Sequence, residues 1–147
     1  LFLLKRILPF MLGIVSIILR ILRIYWFVTT GKIKSMKPEI TFEDFTKVDI
    51  RIGTIIEVND FPKARKPAYQ LAIDFGELGI KKSSAQITDI YSKEDLLNKQ
   101  ITAIVNFKPR QIANFMSECL VLGIYNKEGN VVLLQASKNI KNGEQIS

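Results

Sequence analysis

Apolar and polar residues alternate from Val48 to Asn59, with Val48, Ile50, Ile52, Ile56 and Val58 set against Asp49, Arg51, Gly53, Glu57 and Asn59. A period of two sends successive side chains to opposite faces of an extended chain, so this segment predicts a long, half-buried strand. Thr54 and Ile55 blur the pattern, and Gly53 in mid-strand predicts a bulge or sharp coil at that position. Tyr69, Leu71, Ile73 and Phe75 alternate again and predict a second strand, ended by Gly76 and Gly79. Further strands are predicted over Lys81–Ile87, Gln100–Phe107, Glu118–Tyr125 and Asn130–Gln135, the last two joined by the turn sequence Asn126-Lys127-Glu128-Gly129. Two short helices complete the list. Thr41 precedes two acids and reads as the N-cap of Thr41–Phe45, and Ser92 opens Ser92–Leu97 in a capping-box pattern.

Six short strands with one helix between the third and fourth predict an all-β fold with short helices. The matching architecture is a five-stranded Greek-key barrel of OB type with added C-terminal strands. Two of the strands offer no solvent face: Leu120-Val121-Leu122 and Val131-Val132-Leu133-Leu134 are apolar on both alternations. Either the short helices or another subunit must cover such a surface, and the expectation is a homodimer, with Leu120, Leu122, Val132 and Leu134 as candidate contact residues.

Residues 1–35 differ in kind from the rest. They carry six basic residues and no acid, which accounts for +6 of the net +7; the remaining 15 basic and 14 acidic residues leave +1. Ile7 to Leu19 is an uncharged run of 13 residues, short for a membrane span of about 20. Counted on to Val28 it reaches spanning length but includes Arg20 and Arg23. The expectation is that Met36 is the true start and that 1–35 is an apolar, basic leader outside the native domain. A membrane anchor is the alternative, and a cleaved signal, for which no small-x-small site follows, is the third reading. Residues 36–147, 112 in number, are enough for one domain with a modest core.

The chemistry available is narrow. With no histidine and a single cysteine, Cys119, histidine base catalysis, Cys/His zinc sites and intramolecular disulfides are excluded, and no cofactor is expected. Cys119 lies in an apolar run and reads as an inert buried thiol. The carboxylates show no paired spacing for general acid and base, so the expectation is not an enzyme. Because the domain is nearly neutral, a nucleic-acid role must rest on local clusters, of which there are three: Lys63-Ala64-Arg65-Lys66, Lys81-Lys82 and Lys108-Pro109-Arg110. Pro109 stiffens the last of these, so that two cations project from a defined corner.

Asp49-Ile50-Arg51-Ile52-Gly53-Thr54-Ile55, Asn106-Phe107-Lys108-Pro109-Arg110-Gln111-Ile112 and Met116-Ser117-Glu118, in this order and spacing, resemble the tRNA-binding domain family, the OB-fold module appended to some methionyl- and phenylalanyl-tRNA synthetases. The likeness covers residues 40–135. Phe61–Tyr69, Asp74-Phe75-Gly76, Lys81–Ile87 and Ile112–Glu118 resemble, more narrowly, free-standing bacterial members described as secretion chaperones. The resemblance implies a dimeric cytoplasmic protein that binds tRNA, with preproteins and the SecA motor as further partners. Carried over, the RNA-facing positions are Lys63, Arg65, Lys66, Lys81, Lys82, Ser83, Ser84, Gln86, Asn106, Lys108, Arg110 and Ser117. Synthetase-appended domains usually have His-Pro where this chain has Phe61-Pro62, which departs from their pattern of RNA recognition. These donors suit backbone and ribose contacts rather than base reading. A competing function is export chaperone, with Phe61, Phe115 and Met116 as candidate contacts for an extended apolar peptide.

Overall fold

The computed structural model describes residues 36–147, and all elements below lie in the unit Ile40–Ser147. The expectations for residues 1–35 fall outside the described residues. In chain order the elements are α1 (Phe42–Thr46), β1 (Ile50–Asp60), β2 (Tyr69–Asp74), a 3-10 turn (Gly76–Leu78), β3 (Ile80–Ala85), α2 (Lys93–Leu96), β4 (Gln100–Ile104), β5 (Arg110–Ile112), β6 (Phe115–Ser117), β7 (Leu120–Val121), β8 (Gly123–Tyr125) and β9 (Val131–Leu133). Among the described residues, no helix is long and apolar enough to cross a membrane.

Five antiparallel strands run in the order β3-β2-β1-β4-β7 and curl into a nearly closed OB-type barrel. The remaining seam is crossed by the segment ahead of β7. There the Glu118 N–H donates to the Lys82 carbonyl at 2.7 Å, the Lys82 N–H donates to the Glu118 carboxylate at 2.8 Å, and the Ser83 hydroxyl donates to the Cys119 carbonyl at 2.9 Å. Inside sit Ile55, Leu71, Ile73, Phe75, Ile101 and, from α2, Leu96, all excluded from solvent. Both helices begin where the capping signals placed them: Thr41 with Asp44, and Ser92 with Asp95, form reciprocal capping boxes. These hydrogen bonds hold the Asp44 and Asp95 carboxyls below the usual aspartate range, the bond from Lys47 being the largest cause at Asp44 and that from the Ser92 backbone at Asp95.

β1 is the long strand read from the alternation, but its bulge lies elsewhere. Register against β2 slips between Ile55 and Glu57, so Ile56 is the extra residue and is turned outward. This slip moves the core-facing parity from odd to even, which is why Ile55 is fully buried and Val58 also packs on the core. Gly53 answers a different need: a Cβ there would lie 2.6 Å from Phe75 Cε1 and 2.7 Å from Ile73 Cγ2. The glycine is the gap into which the Phe75 ring fits.

Three further departures from the sequence reading have local causes. The predicted strand Glu118–Tyr125 divides at Leu122, whose N–H still pairs with the Thr102 carbonyl in the β4 register while its carbonyl already accepts the Leu134 N–H, so the segment changes partner from β4 to β9 there and forms β7 and β8. The predicted strand Gln100–Phe107 stops at Ile104, because the Asn106 side chain accepts the Asp49 N–H at 3.1 Å and donates to the Lys47 carbonyl at 2.7 Å. Residues 110–117 form an additional hairpin, β5–β6, which turns at Ala113 with φ 51°.

Residues 142–146 strap the free edge of β1. Gly143 N–H donates to Ile52 O, Ile52 N–H to Glu144 O and Ile146 N–H to Ile50 O, at 2.8–3.0 Å. The Asn142 side chain buckles this strap to three strands, accepting from Thr54 Oγ1 and Gln100 Nε2 and donating to Asp74 Oδ2. Arg51 adds a bond to the Gly143 carbonyl while its guanidinium pairs with Asp49.

Gly53→Ala should destabilise the protein by about 1–3 kcal/mol through overpacking, read as a lower urea midpoint. Combined with Phe75→Leu, which shortens the opposing ring, the two losses should add to less than their sum, the mark of a shared contact.

Candidate nucleic-acid interface

The loop between β1 and β2 carries the first basic cluster. It is closed by the Phe61 N–H on Ala68 O and the Ala64 N–H on Phe61 O, and it projects Lys63, Arg65 and Lys66 into solvent. Its anchor is Phe61, only 4% exposed, whose ring packs against Phe115 with centroids 5.6 Å apart. That contact ties the β1–β2 loop to the β5–β6 hairpin, which bears Arg110 at its base opposite Ser117. Lys108 and Pro109 lie just before the hairpin, and both cations of the stiffened turn are exposed.

Four of the expected RNA-facing residues converge. Ser84, Lys108, Arg110 and Ser117 line one cleft of about 500 Å³, together with the exposed ring of Phe107. A second cleft, of about 440 Å³, shares Ser84 and Leu120 with the first and adds Gln86, Leu122 and the inward faces of β8 and β9. A third, of about 250 Å³, shares Gln86, Tyr125 and Val131 with the second and reaches Lys66. The three adjoin as one groove along the outer edge of β3, with cations at both ends and an apolar middle.

Other assignments are placed differently. Ser83 is 2% exposed and spends its hydroxyl on Cys119, so it belongs to the barrel seam and not to a surface. Asn106 is exposed, but its amide is engaged at both ends by the α1–β1 connection. Lys81 faces the side of β3 that pairs with Ile73 and is half-buried, and Lys82 lies across the hairpin in a small separate cleft with Phe115. Lys63 and Arg65 flank the groove's loop without lining it. Of the candidate peptide contacts, Phe61 is withdrawn into the domain because its ring is needed to hold the two loops together, Phe115 is half-buried against it, and Met116 is exposed. Leu120 and Leu122 line the groove, whereas Val132 on β9 and Leu134 just beyond it are exposed on either side of the buried Leu133.

The sequence reading missed Tyr125, 74% exposed at the groove's Lys66 end, and Phe107, which it placed at the end of a strand rather than on the groove. The signal for Phe107 was its place two residues before Pro109, beyond the end of β4. Cys119 is 5% exposed and burial pushes its thiol up to about 11. No cluster of three His, Cys, Asp or Glu able to hold a metal occurs among the described residues.

The tRNA binding domain family model matches residues 50–145, and the chain belongs to that family. Its likeness among solved structures is to the CsaA chaperones: that of Bacillus anthracis is 53% identical with a TM-score of 0.71, covering 75% of this chain and all of the other. CsaA of Picrophilus torridus is 54% identical with a TM-score of 0.70, covering 74% of this chain and all of the other. Methionine–tRNA ligase of Bacteroides fragilis is 34% identical over 115 residues, which are 78% of this chain and 17% of the ligase. The ligase of Thermococcus onnurineus is 36% identical over 116 residues, 79% of this chain and 15% of that enzyme. The chain therefore spans under a fifth of the length of these ligases.

Because the thiolate is the reactive form, Cys119 should resist iodoacetamide in the native protein at about pH 8 and react fully once unfolded. Mass spectrometry of native and urea-treated samples reads the difference, and rapid native labelling would contradict the buried placement.

Proposed function

We propose that residues 36–147 are a CsaA-type tRNA-binding module, not an enzyme, that holds tRNA by backbone and shape contacts along the β3 groove. The observation that carries this reading is the convergence of Lys108, Arg110, Ser84 and Ser117 on one cleft that runs on to Lys66. Cations at the two ends of a groove can neutralise successive phosphates, while short hydroxyls between them suit ribose and phosphate oxygens. Loops 61–68 and 106–119 flank β3 as the β1–β2 and β4–β5 loops flank the nucleic-acid face of other OB folds. The setting we infer is cytoplasmic.

A second reading is favoured by the groove's apolar middle, where Leu120, Val121 and Leu133 face the edge of β3. Such a trough suits an extended apolar segment, as for a chaperone of exported preproteins working with SecA. We also propose a homodimer. The outer side of β8–β9 presents the paired Ile124 and Val132, with Leu134 just beyond β9, respectively 60%, 42% and 37% exposed. A second copy related by a twofold axis would cover this face and leave the groove, on the other side of the hairpin, open.

Lys108→Ala with Arg110→Ala should weaken tRNA binding and lower the slope of log affinity against log salt by about one to two, at unchanged thermal stability, because exposed loop charges contribute little to folding. Unchanged affinity and slope would remove this turn from the RNA surface; equal loss of tRNA and of a preprotein segment would place both ligands in the same groove. Val132→Asp with Leu134→Asp should convert a dimer to monomers or aggregates in sedimentation velocity, and a wild-type protein that sediments as a monomer at micromolar concentration would sink the dimer.

A further inference from the structure

We propose that the cleft at the Lys66 end of the groove is a subsite for one unpaired guanine of the bound RNA, stacked on Tyr125 and read by Asp89. The proposal deepens the tRNA-binding reading and rests on it. Two features of the cleft are out of place on a surface that only holds phosphate. The first is Tyr125, 74% exposed at the end of β8, where it pairs in register with Val131. Tyr69, by contrast, is buried, and Tyr91 is half-buried, so the remaining described tyrosines serve the core. An aromatic ring left in solvent beside a cation provides a stacking face for a base, as on other single-strand-binding surfaces.

The second feature is Asp89, an exposed carboxylate lining the same cleft as Lys66, Gln86 and Asn130. It makes no ion pair or side-chain hydrogen bond with the described residues. A carboxylate repels phosphate and accepts only, so the group it receives must donate. Among the four bases, guanine alone sets two donors side by side on its pairing edge, N1–H and the N2 amine, and these match the two oxygens of a carboxylate. Adenine and cytosine put a lone pair next to their amine, and uracil flanks its single N–H with carbonyls; each would bring a lone pair against Asp89. Lys66 and the amides of Gln86 and Asn130 supply donors for the guanine O6 and the adjoining phosphate. The cleft, at about 250 Å³, has the size of a single nucleoside and not of a helix, so the base must be unpaired.

Fluorescence anisotropy of the full chain with labelled pentaribonucleotides UUGUU, UUIUU and UUUUU, and with whole tRNA, tests the subsite. The inosine probe lacks only the N2 amine and needs no protein variant. UUGUU should bind roughly tenfold tighter than the other two. Asp89→Asn should erase that preference, and Tyr125→Ala should weaken all three pentamers roughly tenfold while Tyr125→Phe does not. Equal affinities for the three pentamers, with tRNA still bound in a salt-dependent way, would overturn the guanine subsite and leave the tRNA reading standing. A guanine preference without tRNA binding would support the subsite and remove tRNA as its source; no binding of either would overturn both.

Discussion

β1 is hydrogen-bonded along both edges by three different partners, and the rest of the domain depends on its bending enough to reach them. Its first half lies between β4 and the 142–146 strap, and its second half turns away to pair with β2. A flat eleven-residue strand cannot serve all three. The bend comes from two local devices, the extra residue Ile56 and the missing Cβ at Gly53, into which Phe75 packs. Bulge and gap together let one strand contribute Ile55 and Val58 to the same core despite their odd separation.

The motif around Asp49–Ile55 is explained by this role and not by ligand contact. Asp49 orients Arg51, Arg51 holds the strap at Gly143, Ile52 bonds the strap through its backbone, and Gly53 admits Phe75. Asn106 is the counterpart at the other end, since its amide fixes the entry to β1 while its neighbours Phe107 and Lys108 face the groove. A single stretch thus contains a structural clamp followed directly by residues that line the groove, and the clamp is what gives the stiffened turn a fixed direction.

Elements governed by near neighbours were legible in the sequence. The Thr41 and Ser92 caps depend on residues three positions on, and β2 declares itself through the alternation of Tyr69, Leu71 and Ile73. What escaped depends on distant partners or on atypical turn residues. Gly53 carries the usual signature of a bulge, whereas the real one at Ile56 has no glycine to mark it. The β5–β6 hairpin turns on Ala113 in a left-handed conformation where glycine or asparagine would have announced it. The strap is a run of mixed residues without periodicity, recognisable only once β1 lies beside it. For the same reason Ser83 and Ser84, adjacent and chemically identical, could not be told apart: Cys119, 36 positions away from Ser83, takes one into the seam and leaves the other in the groove.

The strap also has a bearing on how the chain behaves before folding is complete. Until residues 142–146 arrive, the first half of β1 is an edge bearing Ile50 and Ile52 with unpaired backbone groups, and pairing Arg51 with Gln145 closes a loop of more than ninety residues. Contacts of such long range form slowly, so this apolar edge stays available to other nascent copies for the longest time. The few polar side chains that buckle the strap, Asn142 above all, therefore guard against intermolecular strand pairing as well as stabilising the finished barrel.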